Sequence, residues 1–216
     1  MTKSTTVSDN AIPEHWALTA ISEDRLSYYL LKSNGNLNEA MSHYNENLRF
    51  SSDLYQWLAL AEVVLRNALV KSISSQVFIS AEFDPFLHIW QDLRPEERAD
   101  YERAASRVIS KSREATPGRV IAELNFGFWK YLLAADYEHT LWTRNFRHAF
   151  VHLKKKNRHI VYSAVERVNQ LRNRVAHHER LLDVDLSREI QALFTLLGWI
   201  SPEALAWARE NLPKIG

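Results

Sequence analysis

From Ser52 to Gln76 the chain places apolar side chains at Leu54, Leu58, Ala61, Leu65 and Leu69, three or four residues apart, with no glycine or proline between them. That spacing keeps one stripe on one side of an α-helix and would scatter it over both faces of a strand. It constrains the fold more than any other feature, because the same period recurs along nearly the whole sequence. Ser22-Glu23-Asp24 predicts a cap and acidic first turn for a helix to about Lys32. Ser33-Asn34-Gly35-Asn36 reads as a turn, and Asn36 or Asn38 as the cap of a helix to about Leu48. The Leu54 to Leu69 stripe predicts a separate helix, from Ser52 or Asp53 to about Gln76. Residues 78–94 are less regular, and Phe83, Phe86, Ile89 and Trp90 are expected to plug the core.

Pro95 and Thr116-Pro117 sit where proline suits a first helical turn; one such helix runs to about Lys111 and the other carries Val120, Leu124 and Phe128. Gly127 either allows close packing there or ends that helix. Further helices are expected at His139–His152 and Asn157–His178, the latter with Val161, Val165, Val168, Leu171 and Val175 as its buried stripe. Asp185 or Ser187 opens one that Gly198 stops, and Ser201-Pro202 opens the last. Residues 1–20 read as a tail in which Pro13 and Trp16 dock on the body, and 21–216 as a single all-helical domain. The expected fold class is all-α, a helical bundle.

Five glycines and six prolines in 216 residues are too few for a chain built of tight β-turns. Cysteine is absent, which excludes disulfides, thiolate catalysis and cysteine-based zinc sites and fits a cytoplasmic setting. Met1–Asn10 is polar and unlike a secretory signal, and no apolar run has the length that spans a bilayer. A metal hydrolase built on the nine histidines is disfavoured, because His177-His178 adjacency is poor ligand spacing and no His-Glu-x-x-His occurs. No cofactor is expected. The net charge of +1 excludes a global basic field, so RNA contact must come from local patches. The patch that stands out is Lys154, Lys155, Lys156 and Arg158, which Arg144 and Arg147 could extend.

One segment carries chemistry: Leu171-Arg172-Asn173-Arg174-Val175-Ala176-His177-His178-Glu179-Arg180-Leu181. RNA holds its own nucleophile, the 2′-hydroxyl beside the scissile phosphate. A metal-free cut therefore needs a proton acceptor, a proton donor and cations to steady the phosphorane. Histidine titrates near working pH, and the arginine fork pairs with phosphate oxygens without losing its proton. His177 is thus the expected general acid or base, Arg172 the phosphate clamp, and Asn173, four residues before His177, the orienter of its ring or a second phosphate contact. The expected products are a 2′,3′-cyclic phosphate and a 5′-hydroxyl. His178 is a candidate second proton carrier, although about 100° away on the helix.

Arg172-Asn173 with His177 resembles the R-x4–6-H signature of HEPN domains. The string from Leu171 to Leu181 looks more narrowly like their Abi-like (abortive infection) branch, as do Leu60–Leu69 and Glu123–Trp129. The resemblance covers roughly residues 20 to 200. It implies a HEPN-type bundle with accessory helices, and a homodimer whose two Arg172–His177 motifs meet in one composite cleft. It also implies that the helix carrying Glu62, Arg66 and Asn67 lies beside the motif helix, with Glu62 bracing Arg172. The activity implied is a metal-independent endoribonuclease, a toxic effector of phage defence or of a toxin–antitoxin pair. Such a toxin needs a neutralising antitoxin, either a protein or a structured RNA. Arg147 to His152 fits the bare signature as well, but Phe146 and Phe150 mark it as an aromatic core segment. The competing class is a catalytically inactive helical module that binds RNA or a protein through the same cleft. Tyr55, Trp57, Trp129, Tyr131 and Trp142 are candidate base-stacking residues, most of them expected in the core.

Overall fold

The computed structural model describes residues 16–74, 84–111 and 114–215, and these form helices and connecting turns with no strand among them. Pro13, Gln76 and Phe83, each assigned a place above, lie outside the described residues. The chain forms two compact units, one up to Phe50 and one from Ser51 onward.

In the first unit a π-helical turn at Leu18–Ser22 leads into α1 (Glu23–Lys32). The Ser22 hydroxyl accepts from the Arg25 N–H at 3.3 Å, which is the expected cap. Asn34 and Gly35 take positive φ, 50° and 82°, to turn the chain, and Asn36 Oδ1 accepts from the Glu39 N–H at 3.2 Å. Ala17, Leu26, Tyr29 and Ala40 form this unit's core, whereas Trp16, expected to dock, is 43% exposed.

α2 runs from Leu37 to Ser74 without interruption. The break expected between Leu48 and Ser52 does not occur, and the unit boundary falls inside the helix. The connecting residues Arg49-Phe50-Ser51-Ser52 include neither proline nor glycine, so a serine that reads as a cap can equally lie in a helix interior. Ser52, the expected start, does so.

In the second unit the stripe Leu54, Leu58, Ala61, Leu65, Leu69 is buried as expected. Trp57 anchors α2 here: its ring lies 5.0 Å from Phe194, and Nε1 donates to the Pro213 carbonyl at 2.7 Å. α3 (Pro85–Ile89) and α4 (Pro95–Ser110) follow, with Phe86 and Ile89 plugging the core as the sequence suggests. α5 (Pro117–Glu123) and α6 (Phe126–Tyr131) replace the single helix expected after Thr116. Leu124 is extended, and Asn125 Oδ1 caps α6 by accepting from the Phe128 N–H at 3.0 Å. A Cβ at Gly127 would stand 3.2 Å from that same oxygen, so the glycine makes room for the cap rather than ending a helix.

His139–His152 is not one helix. A π-helical turn at Glu138–Trp142 and a 3₁₀ turn at Phe146–His148 are separated by Asn145, at φ −125° and ψ −68°. Leu141, Trp142, Phe146 and Phe150 are nonetheless all buried, so the segment serves the core in irregular form. α7 (Arg158–Ala176) is capped by Asn157, whose Oδ1 accepts from the Ile160 N–H at 3.2 Å, and its five-residue apolar stripe is buried. α8 (Ser187–Ile200) packs along α7 and continues past Gly198, whose position meets Leu205 of α9 (Pro202–Asn211) at ordinary contact distance. Among the described residues no helix is long and apolar enough to cross a membrane.

Candidate functional site at the end of helix α7

α7 ends on the motif. His177 is its C-cap and donates its backbone N–H to the Asn173 carbonyl at 2.9 Å. His178 then adopts φ +53°, sends its N–H to the Val175 carbonyl at 3.1 Å, and the Glu179 N–H reaches back to the Arg174 carbonyl at 2.9 Å. This pair of bonds closes a helix end as a Schellman motif, with histidine in the left-handed position glycine usually takes. The Arg174 Nε also donates to Glu179 Oε2 at 3.3 Å, so the same two residues are joined by backbone and by side chain. Glu179 is therefore a clamp on the turn, and Leu181 beyond it is buried.

A left-handed conformation costs a β-branched residue far more than glycine, about 1–2 kcal/mol. His178→Val is expected to be less stable than His178→Gly by about that much, measured by denaturant midpoint. Comparing the two variants cancels whatever the imidazole itself contributes.

The turn leaves the His177 imidazole exposed. Among the described residues no hydrogen bond or ion pair reaches its ring, so both nitrogens are available to a ligand. Arg172 is half-buried, and its Nη1 lies 3.5 Å from Asn173 Oδ1. The carboxamide expected to orient the imidazole is thus turned toward the guanidinium, which it can reach because the two residues are adjacent. Asn173 lies four residues before the histidine and Arg172 five, so the arginine projects about 140° round the helix from His177.

Behind them stands Glu62 of α2. Burial pushes its carboxyl above the usual carboxylate range, while the charges of Arg172 and Arg66 pull the other way. Glu62 therefore lies in the field of both arginines. Arg66 Nε donates to Asn67 Oδ1 at 3.2 Å, so Arg66 and Asn67 form a pair of their own on α2. Asn67 is exposed and lines an apolar hollow with Val63, Val64, Ala149 and Ile200.

The basic patch divides. Lys154 and Lys155 are exposed and Lys156 half-buried, but Arg158 is buried. Arg158 Nε donates to Glu138 Oε2 at 3.1 Å and Nη1 to the Leu133 carbonyl at 2.9 Å. Those bonds join the start of α7 to the irregular segment before it and correct the expectation of an RNA-facing arginine here. Its partners lie twenty residues or more upstream, beyond the reach of local pattern. Arg158→Ala is expected to lower stability by about 2 kcal/mol, through a lost charge-assisted bond and an orphaned carbonyl, and thermal unfolding would register it.

Arg147 and His148 are exposed on the 3₁₀ turn, and His152 donates its N–H to the Trp199 carbonyl at 3.0 Å. The fully buried Phe146 and Phe150 flank them, in keeping with a core segment. Of the aromatic residues singled out as base platforms, Trp57, Trp129 and Trp142 are core and only Tyr55 and Tyr131 are exposed. Among the described residues no three histidine or carboxylate side chains are grouped to hold a metal ion. Two cations that no sequence motif marks, Arg167 and Arg188, line a furrow beside α7. The one signal for Arg167 is its place on the exposed 163, 167, 170, 174, 177 stripe.

No protein-family model matches this chain, and neither the curated proteins nor the solved structures include one detectably similar to it.

Proposed function

We propose that the protein is a metal-independent endoribonuclease of the HEPN, Abi-like kind, acting through Arg172, Asn173 and His177. The observation that carries this reading is the exposed, uncommitted imidazole at the end of α7, with a guanidinium and a carboxamide in contact one turn earlier. Arg172 takes the charge of the phosphorane, Asn173 holds the fork or meets a second phosphate oxygen, and His177 moves the proton. Glu62, in the field of Arg172, limits where the guanidinium can rest.

In a single cleavage step one imidazole does not readily serve as both proton acceptor and proton donor. Two copies of the motif across a two-fold axis supply the second, so the working unit is a homodimer with a composite cleft. A nuclease of this type arrests its own host, which suits a cytoplasmic effector of phage defence or a toxin–antitoxin pair, held by a protein or RNA antitoxin.

Expression of the wild type beside His177→Ala tests the proposal in cells. The expected result is growth arrest with new RNA ends for the wild type and neither for the variant. Equal arrest by both would instead favour a module that binds RNA or protein in the same cleft without cutting it.

A further inference from the structure

We propose that the furrow between α7 and the start of α8 is a second binding site, one that takes the phosphodiester backbone of a single RNA strand leading to His177. The inference rests on the ribonuclease reading and adds to it the path of the substrate.

The furrow has a volume of about 620 Å³ and is lined by Ser163 and Arg167 of α7 and by Ser187, Arg188, Gln191 and Thr195 of α8. Two guanidinium forks, three hydroxyls and a carboxamide line it, all of them groups that pair with phosphate oxygens, although Gln191 Nε2 already donates to Thr195 Oγ1 at 3.2 Å. Of the local carboxylates, Glu189 lies 3.8 Å from Arg167 and Glu166 lies 2.9 Å from Lys130, while Asp185 accepts from the Ser187 N–H at 3.0 Å. Arg188 is exposed, and among the described residues its side chain makes no hydrogen bond or ion pair, although Asp185 feels its charge. It is the cation left for an outside anion.

The furrow's α7 residues lie on the same face of the helix as His177. Ser163, Arg167, Gln170, Arg174 and His177 follow one another at spacings of four and three, so they fall on one face of α7. This face covers about 21 Å of helix at 1.5 Å per residue. All five are exposed or half-buried, whereas the opposite face carries the buried stripe. Lys154–Lys156 precedes the first turn of the same helix and His177 ends it. A strand laid along α7 would meet lysines, then the furrow, then the imidazole. A second hollow, on the other side of Arg167, adds Tyr162 and His159 as faces on which bases can stack.

The test is the salt-dependent affinity of a fluorescent single-stranded 12-nucleotide RNA, read by anisotropy in the His177→Ala background so that the probe stays whole. Arg167→Ala with Arg188→Ala is expected to weaken binding about tenfold. It should also flatten the log Kd against log salt line by about 0.7, the value for the one phosphate that Arg188 no longer neutralises, Arg167 being already paired with Glu189. Arg188→Glu alone gives a second reading at an exposed position, with weaker binding again expected. Unchanged affinity and slope in these variants, or no binding of the RNA at all, would overturn the furrow. If wild-type protein cuts RNA while the slope stays fixed, the furrow falls and the nuclease reading stands. A shifted slope without any cutting keeps the furrow and removes the nuclease.

Discussion

His177→Ala is expected to lower kcat/KM for RNA cleavage by about a thousandfold, and Arg172→Ala by about a hundred- to a thousandfold. The first figure follows from losing a positioned proton carrier, worth roughly 10² to 10⁴ in rate. The second follows from losing a fixed charge where negative charge develops. The exposed His177 ring has no bond to break among the described residues, so its removal costs the fold little and the loss reads as chemistry. Arg172 is half-buried and reaches Asn173 Oδ1, so its variant must be checked for stability first. The two should also differ in kind. Without the imidazole the pH dependence of the residual rate is lost; without the guanidinium it is kept at a lower rate. Variants within a few-fold of the wild type would leave the motif without a catalytic role.

Glu97→Ala is expected to lower stability by about 3 kcal/mol, or roughly 6–12 °C in Tm for a chain of this size. Glu97 is buried and takes both arms of the Arg94 fork, at 2.6 and 3.1 Å, plus the Tyr137 hydroxyl at 2.8 Å. Tyr137 in turn accepts from the Arg94 N–H at 3.0 Å, and Arg94 also pairs with Asp136. Truncating the carboxylate orphans a guanidinium and a phenol at once. Burial alone would raise the Glu97 carboxyl, but the Arg94 and Tyr137 hydrogen bonds outweigh it and hold the group below the usual carboxylate range. A depressed carboxyl contributes stability that is present above its unfolded value and is lost as pH falls through the folded one. The wild type should therefore weaken on acidification below the ordinary carboxylate range. Glu97→Gln, measured by urea midpoint across the same pH series, should weaken less steeply. Parallel curves would show that the carboxylate does not contribute as an ion.

Much of this molecule is written locally, and those parts were readable. Ser22, Asn36 and Asn157 cap the helices they precede, Pro95, Pro117 and Pro202 open theirs, and the α2 and α7 stripes are buried where period 3.6 puts them. These signals act within one turn, so neighbours in sequence suffice. The failures share a different cause. Nothing local distinguishes Ser52 inside α2 from a serine that starts a helix. Arg158 reads as one more cation in a basic run until Glu138 and the Leu133 carbonyl are brought beside it. Asn145 interrupts a segment whose apolar content alone suggested a helix.

The candidate site was legible to the same depth. The helix that carries Arg172 and Asn173 and ends at His177 agrees with what the sequence suggests. The partner of Asn173 and the left-handed cap at His178 do not follow from it. At 173 the amide has two partners within reach by spacing, the imidazole and the guanidinium, and the fold pairs it with the guanidinium. At 178 a histidine stands where a glycine would have announced the turn.

The most direct measurement is the end group left on RNA cut by purified protein in excess chelator, with the matched DNA strand as control. An imidazole and a guanidinium working on the ribose hydroxyl leave a 2′,3′-cyclic phosphate facing a 5′-hydroxyl, with the DNA intact. A 5′-phosphate with a free 3′-hydroxyl, cleavage of the DNA, or no cleavage once divalent ions are removed would contradict the assignment of Arg172, Asn173 and His177.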